Sequence, residues 1–299
     1  MPAPMFDHIH EFLKKIEKKE LARRIDAFLS IDIKSLSDEE IRKLIYDTFS
    51  ISREDGSNYF ILLPESGYYK KGTIFYRVRK SKTHIYPNDE FASVNDFWEP
   101  PAEKTKYGRI NKDNEPLLYT TPAVPYIAAA ETGVRKNDFF YLIVYDAVDD
   151  IHVSKIGCDI DYKKYNIKDV SLIEKYELIN NFLKDEFSRR VEAGTEYLYK
   201  TSEIIAKDFF DLPEIDGWCY PSIKDKTSYN VCFHPCQAKK KMMLRGAIIC
   251  KCIQELKVDS EICPACILCG FDNDGRPLLH KLGGEIHGKI FSDIIRAVK

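Results

Sequence analysis

Seven strand-like stretches follow one another between residues 73 and 253, and helical sequence interrupts them at only two places. The stretches are TIFYRVR (73–79), PLLYTT (116–121), DFFYLIVYDA (138–147), IHVSKI (151–156), DGWCYPSI (216–223), SYNVCFH (228–234) and LRGAIICKCI (244–253). They are rich in β-branched and aromatic residues and bounded by Gly, Pro, Asn and Asp, as strands are. The helical breaks are PYIAAAETGV (125–134), then a pair at 171–193 and 195–210. The first helix of that pair carries Leu172, Ile173, Tyr176, Ile179, Phe182 and Leu183 at helical spacing. A doubly wound parallel sheet alternates strand with helix. Here strands come two and three in succession. The order predicts an α+β fold around a split, largely antiparallel sheet with flanking helices.

The rest of the chain surrounds that core. Residues 1–69 form an expected N-terminal helical region, in which Phe6, Ile9, Leu13, Ile16, Leu21, Ile25 and Phe28 recur at roughly helical spacing. SDEEIRKLIYDTF opens with Ser37 and, three residues on, Glu40, the signature of a capping box. Its apolar stripe is Ile41, Leu44, Ile45 and Phe49. This layer needs another surface to bury it. Residues 70–255 are the expected core domain, and 256–299 a less regular extension packed on it. Residues 87–115 are polar and punctuated by Pro87, Pro100, Pro101 and Gly108, but Phe91, Phe97 and Trp98 predict an ordered course.

Composition narrows the function classes. Hydrophobic residues at 44% supply a core. A net charge of −2 gives no global basic surface, so nucleic acid is not an expected partner. No apolar run approaches the roughly 18 residues of a spanning helix, so no membrane is expected. The first residues lack the apolar segment of a leader, and the cytoplasm is the expected location. The nine cysteines then read as reduced thiols. CPACILC has zinc-like CxxC spacing, but no histidine pair follows at the usual offset, and no metal is expected.

Chemistry-bearing residues sit at strand ends and turns. Arg77 lies in FYRVR, Arg109 in YGRIN, Tyr119 in LLYTT, Glu131 in AAAET, and Ser222 in WCYPSI with Asn230 just beyond. Arginine offers a planar fork of donors that grips phosphate. A carboxylate stabilises the positive charge that builds on a sugar when its glycosidic bond breaks. Tyrosine can stack on a flat ring. Asn111 is expected to fix its own loop by side-chain bonds to backbone. Arg79, two residues beyond Arg77, points the same way along the strand and is a candidate for a further anion.

In this order, the pieces resemble the RES domain family, named for an arginine, a glutamate and a serine. The resemblance runs from Arg77 through FWEPP, YGRIN, PLLYTT, AAAET, YLYKTSEIIA, DGWCYPS and YNVCF, over roughly residues 70–255. It does not reach the N-terminal helices. It implies an ADP-ribosyltransferase-like core and an NAD-consuming enzyme, a toxin or defence effector that depletes NAD. It maps the catalytic arginine, glutamate and serine to Arg77, Glu131 and Ser222. It maps NAD binding to Arg77, Arg109, Tyr119 and Ser222. NAD is then substrate, no cofactor is required, and inorganic phosphate is a possible co-substrate. Water as acceptor gives a glycohydrolase, phosphate a phosphorylase, and a protein side chain an ADP-ribosyltransferase. An inactive interaction protein on the same fold is the remaining alternative. An antitoxin or other regulatory protein and a second copy of the chain are the implied partners. Glu131→Ala is expected to abolish activity with little change in melting temperature.

Overall fold

The structure, a computed structural model, describes residues 10–53, 55–62, 65–83, 90–225, 227–254 and 262–294. The expectations for residues 1–9, for Pro87 and for 255–261 lie outside the described residues.

The described residues include six α-helices and twelve strands. The helices are α1 (Lys18–Leu29), α2 (Asp38–Phe49), α3 (Pro125–Glu131), α4 (Val170–Ser188), α5 (Tyr199–Ile204) and α6 (Pro235–Lys241). Strands β1 (Ser50–Ser52) and β2 (Asn58–Phe60) pair with each other. The others are β3 (Glu65–Tyr69), β4 (Ile74–Lys80), β5 (Leu118–Pro122), β6 (Phe139–Ala147), β7 (Ile151–Lys155), β8 (Gly217–Pro221), β9 (Tyr229–Phe233), β10 (Met242–Cys252), β11 (Ile262–Phe271) and β12 (Pro277–His280). These ten form a mixed, mostly antiparallel sheet, so the chain is α+β. Among the described residues, no helix is long and apolar enough to cross a membrane.

Two compact units share the chain, and they are interleaved. One comprises residues 1–67, 106–115 and 154–221, the other 68–105, 116–153 and 222–299. Segments 106–115 and 154–221, expected within a 70–255 domain, cluster instead with the N-terminal helices.

The first unit is built on apolar helix stripes. Leu21, Ile25 and Phe28 of α1 and Ile41, Ile45 and Phe49 of α2 are buried. On α4 the buried stripe includes Leu172, Tyr176, Ile179, Phe182, Leu183 and Phe187. Phe28 and Phe49 meet the Phe182 ring at 5.5 and 4.9 Å between centroids. The expected capping box is present: Glu40 N–H donates to Ser37 Oγ at 3.3 Å, and Ser37 N–H to Glu40 Oε2 at 2.8 Å. Together these satisfy two of the donors a helix start leaves open.

In the second unit the strand order is β12-β11-β10-β6-β4-β5-β9. The extension expected after residue 255 is therefore part of the sheet itself, since β11 pairs antiparallel with β10. Alternation gives this sheet two faces. Tyr76, Val78, Phe140, Leu142, Val144, Ile248 and Cys250 line one, with Ala128 and Ala129 of α3 and with Phe291 and Ile294 packed on it. Phe75, Arg77 and Arg79 line the other, opposite Tyr145, Ile143 and Tyr141 of β6. Residues 90–104 run over that second face, where the Phe91 ring lies 4.4 Å from Tyr141 and Trp98 5.2 Å from Tyr145. Phe91 and Phe97 are each only 1% exposed, so the expected ordered course holds.

Candidate active site

Glu131 is the last residue of α3. Pro125 opens that helix at a position that needs no N–H, and Ala128 and Ala129 press it onto β4 and β6. Gly133, at φ +68°, ends it. A carboxylate at a helix C-terminus faces the negative end of the dipole and needs donors of its own. It has two. The Ser222 hydroxyl donates to Glu131 Oε1, and Ile223 N–H donates to the same oxygen at 3.0 Å. Glu131 Oε2 takes no bond among the described residues.

Ser222 follows Pro221 at the end of β8 and is buried. Its N–H donates to Ser228 O at 2.9 Å, closing a turn. Its Oγ accepts from Lys224 N–H at 3.0 Å, and Asp225 N–H lies 3.4 Å away. Its proton is thus committed to Glu131, and its lone pairs to the turn. The serine orients the carboxylate.

Tyr119 lies on β5 opposite Cys232 of β9 and is half-buried. Pairing of Tyr76 with Thr121 puts Thr121, and by alternation Tyr119, on the face that carries α3. Thr121 Oγ1 donates to Asn230 Oδ1 at 2.8 Å, and both residues are buried. Asn230 stood out in the sequence beyond Ser222, but its pairing with Thr121 did not. Its signal was faint, an asparagine inside an apolar strand, where propensity disfavours it.

Arg77 is not brought together with Glu131 and Ser222. Its neighbour Tyr76 faces α3, so Arg77 emerges on the opposite face. There Nη1 reaches Phe97 O at 3.5 Å, a marginal bond, and the Tyr145 hydroxyl donates to the same carbonyl. Burial pushes the Arg77 guanidinium below its ordinary range, and Arg79 adds to that push. Arg79 itself is occupied. It pairs with Asp96 at 3.2 Å, donates to Glu90 O at 3.2 Å and lies 4.7 Å over the Phe91 ring. It is not a free cation waiting for an anion.

Arg109 belongs to the other unit. Its Nη2 donates to Arg189 O at 2.8 Å, at the C-terminal end of α4, where a cation is favoured. The guanidinium lies 5.3 Å over the Tyr199 ring, and Nη1 is buried without a partner among the described residues. Asn111 donates to Lys106 O at 2.8 Å and Lys112 O at 2.9 Å, and so fixes its loop as expected.

All nine cysteines are free thiols. Among the described residues, no group of three His, Cys, Asp or Glu side chains is arranged to hold a metal ion. Compared with family models, curated proteins and solved structures, the chain matches none.

Proposed function

We propose that this chain is an NAD-consuming enzyme that breaks the nicotinamide–ribose bond. One observation carries the reading: Glu131 has one oxygen pinned by two donors and the other left open. A carboxylate held this way cannot rotate to follow a ligand, and its open oxygen presents a fixed negative charge. Fixed charge aimed at a developing oxocarbenium ion is usually the largest catalytic contribution. Nicotinamide leaves with the bonding electron pair, and the acceptor oxygen closes on the sugar carbon. With water the products are nicotinamide, ADP-ribose and a proton. With phosphate they are nicotinamide and a phosphorylated ADP-ribose. Tyr119, on the sheet face that carries α3, stacks on the nicotinamide side, whereas Arg77 emerges on the opposite face and takes no part in this site. The biological consequence is NAD depletion, as for a RES-type toxin held in check by a partner protein.

Purified protein incubated with NAD, in phosphate and in phosphate-free buffer, with products read by mass spectrometry, tests this. Nicotinamide release abolished by Glu131→Gln is the expected result. Absence of release in both buffers from folded protein refutes it. Transfer of label to a macromolecule in excess of free product would instead assign an ADP-ribosyltransferase.

A further inference from the structure

Two thiols meet in the first unit, which does not contain Glu131 or Ser222. Ile156 N–H donates to Cys219 O at 2.8 Å, which pins the chain leaving β7 to the middle of β8. Gly157, at φ +63°, then turns that chain close against α4, where a Cβ would lie 2.6 Å from Lys184 N. Asn180 of α4 donates to Cys158 O at 2.9 Å and fixes the next residue. Cys158 Sγ is thereby set 3.6 Å from Cys219 O and 3.9 Å from Cys219 Sγ. Both cysteines are only 3% exposed.

A disulfide holds its sulfurs about 2.05 Å apart, so these two have about 1.9 Å left to close. Rotation about χ1 moves a sulfur that far while the backbone bonds around it stay made. The thiols give up little in exchange. An S–H is a weak donor, and the acceptors nearest Cys158 Sγ are Ile156 O at 3.7 Å, Cys219 O and Cys219 Sγ. Burial, and then Cys219, push the Cys158 thiol well above its ordinary value, against the pull of Lys155. Thiolate is therefore scarce, and an oxidant meets the pair when the unit opens locally. Such a pair answers sustained oxidation and ignores brief exposure.

We propose that Cys158 and Cys219 are an oxidation site, a dithiol that a peroxide converts into an intrachain disulfide bracing the first unit. Cys158, which Lys155 favours as thiolate, reacts first. Its sulfur attacks one oxygen of hydrogen peroxide, an S–O bond forms, the O–O bond breaks, and hydroxide leaves with the thiol proton as water. The Cys219 sulfur then attacks the Cys158 sulfur. The S–S bond forms, the S–O bond breaks, and hydroxide leaves with the Cys219 proton as a second water. The dithiol loses two electrons and the peroxide gains them. The new bond closes a loop that contains α4 and α5. Closing a long loop restricts the unfolded chain more than the folded one, so the disulfide stabilises the unit. The site is independent of NAD cleavage and stands or falls without it.

The test treats the full folded chain with iodoacetamide, which caps the exposed Cys236 and Cys263 and spares the buried pair. Hydrogen peroxide follows, then unfolding, capping with N-ethylmaleimide and peptide mapping by mass spectrometry. The expected product is a peptide pair joined through Cys158 and Cys219, lighter by two hydrogens and separated by dithiothreitol. The oxidised chain should melt about 5 °C or more above the reduced one and fall back on reduction. Cys219→Ala should give neither the joined pair nor the rise, and the wild-type map decides even where that variant folds poorly. Three results overturn the proposal: maleimide on both Cys158 and Cys219 after peroxide, either of them joined to a different cysteine instead, or the joined pair with an unchanged melting temperature.

Discussion

Ser222 and Glu131 hold each other, and a double-mutant cycle measures that directly. Ser222→Ala removes a hydroxyl that donates to a carboxylate and accepts from Lys224 N–H at 3.0 Å. A bond to a charged group contributes about 1.5–3 kcal/mol and a neutral one about 1 kcal/mol. Lys224 is an exposed residue whose amide water can reach once the hydroxyl is gone, so its share is mostly recovered. The expected loss is about 2 kcal/mol. Glu131→Ala removes the Ser222 bond and the 3.0 Å bond from Ile223 N–H, and should cost about 2–3 kcal/mol. This replaces the expectation of an unchanged melting temperature. The shared bond is lost once in the double variant, so the singles should over-count it by about 1.5–2 kcal/mol. Urea unfolding followed by tryptophan fluorescence reads all four species. Additivity of the two losses within about 0.5 kcal/mol would refute the pairing. Glu131→Gln keeps an acceptor oxygen. It should lose activity with far less of the stability, which separates the carboxylate's charge from its structural bond.

Three other expectations follow from the same coordinates. Gly157 has φ +63°, and a Cβ there would sit 2.6 Å from Lys184 N, so Gly157→Ala should destabilise by more than about 2 kcal/mol in urea unfolding. Burial raises the Glu186 carboxyl from 4.5 to about 7 despite Arg189 beside it. The folded chain therefore holds a proton that the unfolded chain releases, and stability falls as pH rises from about 4.5 to about 7. The loss is on the order of 3 kcal/mol, and Glu186→Gln should flatten that slope in unfolding curves taken across this range. Arg77→Met removes a buried cation with weak bonds, to Phe97 O at 3.5 Å and to the Tyr145 hydroxyl, on the sheet face away from Glu131, so stability should hold or rise and KM for NAD should stay unchanged in steady-state assays. A large loss of stability would make Arg77 structural.

Local signals were legible. Strand lengths and their succession pointed to α+β because burial and alternation leave their mark within a few residues. The Ser37–Glu40 box and the Asn111 clamp were legible because each closes within five residues. Features set at long range were not. Strand β11 contains CPACILC, and its cysteines distracted from an apolar run that pairs with β10. Segment 106–115 looked like part of the loop that precedes it. Its allegiance comes from partners far along the chain, through Lys112 to Asp38 and Glu115 to Lys207. The pair that occupies Arg79 spans 17 residues and depends on a turn near Asp96 that no short pattern announces.

The candidate site divides the same way. Alternation alone says that Arg77 opposes Tyr76 and Val78. What it cannot say is which face receives α3, and two small alanines, Ala128 and Ala129, decide that by packing beside Tyr76 and Val78. The consequence is chemical. Glu131 is oriented by the Ser222–Ile223 turn and needs no arginine to hold it. Arg77 has a 3.5 Å bond to the Phe97 carbonyl and the Tyr145 hydroxyl beside it, whereas Arg79 has a carboxylate, a carbonyl and an aromatic face. A fold that gives Arg79 two acceptors and an aromatic face is not short of acceptors in that region. Buried guanidinium groups are costly unless something satisfies them.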